Sequence, residues 1–313
     1  MLTIPPFIFG LVFGLAVPLR AQDAGALSRQ GLVLMDHARY AEAETVLKQA
    51  LAKAGPNNAT ALYNLASVYH REGKFQEARR LHLAALEIVQ RERGQFDAEV
   101  AQSLNDLGSI DRSMGQYSRA IQSLERAAGM IDQTLALDLL VTVLNNLGAA
   151  YYEAGQRAKA ETILRQGLAL AESSSGRARE AVPYLLSGLG RAYLDRKRFA
   201  EAEAAFERVV EALEASVGLQ HPDYAIALYN LATAYQRQKR FLAAQPFMEQ
   251  AISILEKSLN PATPLLAAPF ESYAEILKGL GRNAEAREIA RRAKLLARRN
   301  VGIVDVTTLR GVQ

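Results

Sequence analysis

The side chains able to carry catalysis or bind a metal are sparse in this chain of 313 residues. It has no cysteine, which excludes thiolate zinc sites, thiol nucleophiles and disulfides. The four histidines, His37, His70, His82 and His221, include no i, i+4 pair that would set two imidazoles on one helical face. No metal or cofactor is therefore expected. Ser187-Gly188-Leu189-Gly190 has the outline of a phosphate loop or a nucleophile elbow, but both need a strand ahead of the turn. This stretch lies inside a helical apolar pattern, where Gly190 serves close packing. With no nucleophile, base and orienting group in view, the chain is expected not to be an enzyme. His82 stands where equivalent segments carry Leu124, Leu164, Phe206 and Met248, which predicts a partly buried imidazole with a local hydrogen-bond partner.

What remains is the chemistry of amides and guanidinium groups. Asn64, Asp106, Asn146, Gly188, Asn230 and Ser272 share one register, each preceded by Tyr63, Asn105, Asn145, Ser187, Tyr229 or Glu271. An amide offers both a donor and an acceptor, so a column of them can hold an extended backbone whatever its side chains are. Arg71, Arg112, Arg191 and Arg237 project from the same segments, and arginine suits carboxylates. The candidate peptide contacts are thus Tyr63, Asn64 and Arg71, then Asn105, Asn145 and Asn146, then Arg191, Tyr229, Asn230 and Arg237. The ligand these imply is a protein or peptide segment, acidic or ending in a free carboxylate, although Glu153, Asp195, Glu271 and Glu275 nearby weaken the preference. With Gly188 and Ser272 breaking the column, the groove is expected to be most competent over the first three full repeats.

These residues recur because the whole chain recurs. "ALYNLASVYHREGKF" from Ala61 returns as "ALYNLATAYQRQKRF" from Ala227. One position runs Tyr40, Phe75, Tyr117, Arg157, Phe199, Phe241 and Asn283, with steps of 35, 42, 40, 42, 42 and 42 residues. Three residues later stand Ala43, Ala78, Ala120, Ala160, Ala202, Ala244 and Ala286, and seven further on Ala50, Ala85, Ala127, Gly167, Val209, Ala251 and Ala293. Small residues at that spacing let a second helix of each unit seat closely against a first. The first helix carries an apolar stripe at i, i+3, i+4 and i+7: Leu62, Leu65, Ala66 and Tyr69 in one unit, Leu228, Leu231, Ala232 and Tyr235 in another. Asp111 is the odd member of the fourth position. Nineteen residues after the aromatic position come Gly94, Ala136, Gly176, Gly218, Asn260 and Gly302, expected helix ends, while Pro183 and Pro222 suit helix starts.

The pattern of Leu62, Leu65, Ala66, Tyr69, Ala78 and Ala85 resembles the tetratricopeptide repeat, and the 42-residue step, the run "GLQHPDYAIALYNLATAY" and Pro246 early in a second helix are similar to its kinesin light chain subtype. The resemblance covers residues 24–302 and implies an all-α fold, a right-handed α-solenoid of stacked antiparallel helix pairs with about six full units and a shorter N-terminal one. It also implies that first helices line the concave side and that Asn64, Asn146 and Asn230 contact bound peptide. The lysines of the two-carboxylate clamp in chaperone-binding relatives have no match here. A noncatalytic interaction scaffold follows as the expected function.

Residues 1–21, "MLTIPPFIFGLVFGLAVPLRA", read as a secretory signal cleaved after Ala21 or Ala16, or alternatively as an uncleaved membrane anchor over 2–19, so that export to a periplasm or the outside is expected. The formal net charge is +4. The excess sits in Arg282 to Arg299, where seven basic residues face two acidic ones, and so argues against a basic nucleic-acid groove along the array. Docking of that basic last helix, or of a convex face, to a membrane complex is the alternative function. The tail 303–313 stands outside the repeat.

Overall fold

The computed structural model describes residues 19–37, 39–94, 98–132, 136–258 and 266–297. Every regular element among them is helical, and the order is that of repeated hairpins. α1 (Leu19–Asp36) pairs with α2 (Tyr40–Ala54), α3 (Ala59–Arg71) with α4 (Phe75–Arg93), and α5 (Ala98–Ser113) with α6 (Tyr117–Met130). α7 (Leu137–Glu153) precedes α8 (Arg157–Glu172). After a single turn, α9 (Arg177–Glu180), come α10 (Val182–Asp195) with α11 (Phe199–Val217), α12 (Pro222–Arg237) with α13 (Phe241–Ser258), and α14 (Ala267–Gly279) with α15 (Asn283–Ala297). The chain forms two compact units that divide between Lys159 and Ala160.

Each register position read from the sequence has a physical task. Tyr40, Phe75, Tyr117, Arg157, Phe199, Phe241 and Asn283 are the first residues of the seven second helices. Two residues earlier, Gly73, Gly115, Gly155, Lys197, Lys239 and Gly281 all have positive φ, between 58° and 79°. That left-handed step closes the first helix, because the next N–H turns back onto a carbonyl five residues earlier. The bonds are Lys74 N to Tyr69 O (2.8 Å), Gln116 N to Asp111 O (2.8 Å), Gln156 N to Tyr151 O (2.8 Å), Arg198 N to Tyr193 O (2.9 Å), Arg240 N to Tyr235 O (3.0 Å) and Arg282 N to Leu277 O (2.9 Å). The acceptor is always the fourth residue of the apolar stripe.

The small residues let the pair close. Ala43, Ala78, Ala120, Ala160, Ala202 and Ala244 are fully buried. A Cβ on Gly108 would stand 2.5 Å from Leu124 Cγ, and one on Gly190 would stand 2.6 Å from the Phe206 ring, so these two glycines are required by contact. Leu47, Leu124, Leu164, Phe206 and Met248 fill one core register, and His82 occupies it in the second hairpin.

Two expectations about helix ends need correction. Gly94 and Gly218 do cap α4 and α11 with φ of 91° and 84°, but Ala136 is the residue just before α7 (φ −140°, ψ 49°), since α6 has already ended at Met130. Gly176, with φ 67°, precedes the extra turn α9, and α8 ends earlier, at Glu172. Pro183, the second residue of α10, and Pro222, the first of α12, both stand at helix starts as expected. Asn260, Gly302, Arg298, Arg299, the tail 303–313 and residues 1–18 lie outside the described residues. Leu19, Arg20 and Ala21, assigned from sequence to the signal or anchor segment, form the first turn of α1.

Candidate interaction surface

The candidate residues lie on the first helices, and Tyr63 on α3 also packs against His82 of its own second helix α4. In the unit before Ala160, Tyr63, Gln102, Asn105, Asp106 and Asn146 are engaged with one another. Tyr63 on α3 donates its hydroxyl to Asp106 Oδ2 on α5 at 2.5 Å. Gln102 Nε2 lies 3.1 Å from Asp106 Oδ1, and Asn105 Nδ2 lies 3.2 Å from the same oxygen. Asn146 on α7 donates to Asn105 Oδ1 at 2.9 Å, so the chain of bonds links three hairpins. Burial and then the neighbouring Asp106 charge push the Tyr63 hydroxyl well above its ordinary pKa, which keeps it a donor.

Not all of these amides stand open. Asn64 is 7% exposed and Asn105 4%. Both differ from the solvated wall that the spacing suggests, because a helix with apolar neighbours on either side draws the flank of its stripe inward. Asn145 and Asn146 are half-buried. Arg71 is exposed in the last turn of α3, where a positive charge favours the helix end. Arg112 donates to Glu153 Oε1 at 2.6 Å and so belongs to the joint between α5 and α7.

In the unit from Ala160 onward the register is less engaged. Tyr229 and Asn230 on α12 are half-buried and Arg237 is exposed. The Tyr229 hydroxyl, the Asn230 amide and the Arg237 guanidinium have no hydrogen bond or ion pair among the described residues. Arg191 on α10 is half-buried. Gly188 replaces the amide there, and a Cβ on it would meet Leu164 Cδ1 at 2.9 Å.

The opposite flank holds a recurring ion pair that the sequence pattern did not reveal. Lys74 Nζ lies 2.7 Å from Glu44, Arg198 Nη1 2.7 Å from Glu161, and Arg240 Nη1 2.7 Å from Glu203. In each, the cation precedes a second helix and the glutamate is the fifth residue of the preceding second helix. The cations also lie over the stripe tyrosines, Lys74 over Tyr69 (5.3 Å), Arg198 over Tyr193 (4.6 Å) and Arg240 over Tyr235 (4.4 Å). Lys48 and Lys74 hold the Glu44 carboxyl down at about 2. Aligning the glutamates by register would have shown the pattern, but charged surface positions carry no hydrophobic period to prompt it.

His82 is 2% exposed and presents its ring edge-on to Tyr63, with centroids 5.0 Å apart. Its Nδ1 has no hydrogen-bond partner among the described residues, in place of the local partner expected from sequence. Burial keeps the imidazole neutral by lowering its pKa, against a weaker opposing pull from Asp106.

Family models of the tetratricopeptide repeat match residues 57–133, 140–183 and 181–257. No curated protein matches the sequence. Among solved structures, the putative kinesin light chain repeats of Podosopora anserina are 24% identical, with a TM-score of 0.52 over 66% of this chain and 99% of that one. BtubC from P. vanneervenii is 20% identical, with a TM-score of 0.56 over 78% and 94%. PilF of Pseudomonas aeruginosa is 19% identical, with a TM-score of 0.57 over 83% and 98%. At these identities the likeness is one of fold. Seven hairpins with the repeat's small and apolar positions in register, matched by its sequence models along most of their length, make this chain a member of the tetratricopeptide repeat family.

Proposed function

We propose that this protein is a noncatalytic interaction scaffold that holds an extended peptide, or a partner's helix, against the exposed flank of its first helices. Membership of the tetratricopeptide repeat family supports the scaffold role. The observation that carries the finer reading is on α12, where Tyr229, Asn230 and Arg237 present a hydroxyl, an amide and a guanidinium that nothing among the described residues engages. An amide can pair with peptide N–H and C=O alike, and a free guanidinium favours a carboxylate, so an acidic segment is the ligand chemistry. Each such bond contributes about 0.5 to 1.5 kcal/mol, which gives micromolar binding and ready exchange. Residues 1–21 would direct export, and N-terminal sequencing of the secreted or periplasmic chain tests that part.

The test is selection of short displayed peptides on the immobilised protein, followed by titration against Asn230→Ala/Arg237→Ala. Neither side chain supports the fold, so capture should fall at least tenfold while helicity and melting stay unchanged. Equal capture by the double variant contradicts the assignment. A second reading, docking through α15, is favoured by Arg287 and Lys294, which are exposed and unpaired among the described residues. It is weakened by Arg282, Arg291 and Arg292, which pair with Glu285, Glu288 and Glu256. Arg287→Glu/Lys294→Glu should abolish docking to a membrane complex on that reading and leave peptide capture intact.

A further inference from the structure

Asp106 is the one charged member of a register otherwise filled by Asn64, Asn146, Gly188, Asn230 and Ser272. Its half-buried carboxylate receives hydrogen bonds from the Tyr63 hydroxyl at 2.5 Å, from Gln102 Nε2 at 3.1 and 3.2 Å and from Asn105 Nδ2 at 3.2 Å. All three donors are neutral. They fix the carboxylate in place and stabilise its charge without cancelling it. No cation pairs with it among the described residues, although Asp111 and Glu153 on the neighbouring first-helix turns are each held by an arginine at 2.6 Å. An asparagine, the residue at this register in the flanking hairpins, would keep the Gln102 and Asn105 bonds through its one oxygen, with the Tyr63 hydroxyl turned to accept, and would avoid the cost of a half-buried charge that lacks a counter-charge. Near it in sequence register, Ser67, Ser109 and Ala149 are small, half-buried residues at one position of α3, α5 and α7.

We propose that Asp106 is the seat of one basic side chain, lysine or arginine, of a bound peptide. The inference rests on the first-helix flank being the binding surface, and it gives the ligand a positive anchor in the unit before Ala160. Three neutral donors behind a single carboxylate make a pre-formed acceptor pair, which suits an ammonium or the fork of a guanidinium.

The experiment is a selection of short displayed peptides on the full chain and on Asp106→Asn, followed by titration of one selected peptide and of its basic→Gln version. Peptides selected by the wild type should share one basic position. Neutralising that position should weaken wild-type binding about tenfold or more, with affinity falling as salt rises, and Asp106→Asn should bind both versions alike. The Gln peptide reads the contact on the unaltered protein, so the outcome does not depend on the variant folding. Peptides selected without a shared basic position, or retaining the same basic preference on Asp106→Asn, would overturn this inference and leave the binding flank standing. Failure of the wild type to retain any peptide would overturn both.

Discussion

Arg79 Nε lies 2.6 Å from Asp111 Oδ1, and Asp111 is 1% exposed. This pair inverts the rule of its neighbours. At three other joints the fifth residue of a second helix is Glu44, Glu161 or Glu203, and the stripe residue facing it is Tyr69, Tyr193 or Tyr235, while α6 and α13 have Ile121 and Gln245 there. Between the second and third hairpins the glutamate has become Arg79 and the tyrosine has become Asp111, so an apparent defect in the stripe is one half of a compensated exchange. Breaking a buried pair leaves a charge without its partner, at a cost of about 3 to 5 kcal/mol. Asp111→Tyr alone and Arg79→Glu alone should each destabilise the protein by an amount of about that order. The double variant restores the neighbours' Glu and Tyr, with Gln116 standing where they have Lys or Arg, and should recover part of the loss. Denaturant unfolding of the four proteins checks this, and simple additivity of the two losses would show the residues to be independent.

Lys197 and Lys239 hold the left-handed turn position with φ of 58° and 61°, where the other described hairpins with this turn have glycine. A Cβ in that conformation costs about 1 to 2 kcal/mol, and glycine returns part of the gain as entropy of the unfolded chain. Lys197→Gly and Lys239→Gly are each expected to stabilise by about 0.5 to 1 kcal/mol. Lower thermal midpoints for both would mean that the lysines make contacts which outweigh the strain.

His82→Leu places in the second hairpin the residue that fills the same core register as Leu124 and Leu164. It removes a buried Nδ1 that has no partner, and the expected gain is about 1 to 2 kcal/mol. Destabilisation by a similar amount would indicate that the edge contact with Tyr63 matters more than the orphaned nitrogen.

Acid should act in two stages. Burial, with His82, Arg71 and Arg112 adding to it, pushes the His70 imidazole down from 6.5 to about 4. The folded state therefore keeps His70 neutral where the unfolded chain is protonated, and the stability tied to it is present above pH 6.5 and lost as pH falls to 4. Glu44, held at about 2 by Lys48 and then Lys74, contributes stability present above pH 4.5 and lost on further acidification toward 2. Unfolding midpoints measured against pH should decline across both windows. His70→Gln with His82→Leu should flatten the upper one and Glu44→Gln the lower. An unchanged profile in either variant contradicts the assignment.

The repeat was legible because packing imposes a period on it. Ala43, Ala78 and Ala120 stay small because a helix backbone lies against them, and Phe75 and Phe199 recur because they start the second helices. The helix ends were less legible: Ala136 shares a register with Gly94 but not its conformation, since α6 stops before reaching it. The interaction surface was only partly legible. An asparagine column looks the same in sequence whether its amides face solvent or one another, and burial of Asn64 and Asn105 depends on neighbouring hairpins that no single repeat specifies. The Tyr63 to Asp106 bond joins two units, and nothing in either unit alone signals it.

The most direct measurement of where ligands sit is photo-crosslinking of the selected peptide pool from two engineered positions. A photoreactive residue in place of Tyr229 lies on the proposed flank of α12, and one in place of Leu242, 80% exposed at the start of α13, lies on a second helix. Crosslinking from position 229 and little from 242 is the expected result. Crosslinking from 242 with none from 229 would place the ligand on the second helices and contradict the assignment of the first-helix flank as the binding surface.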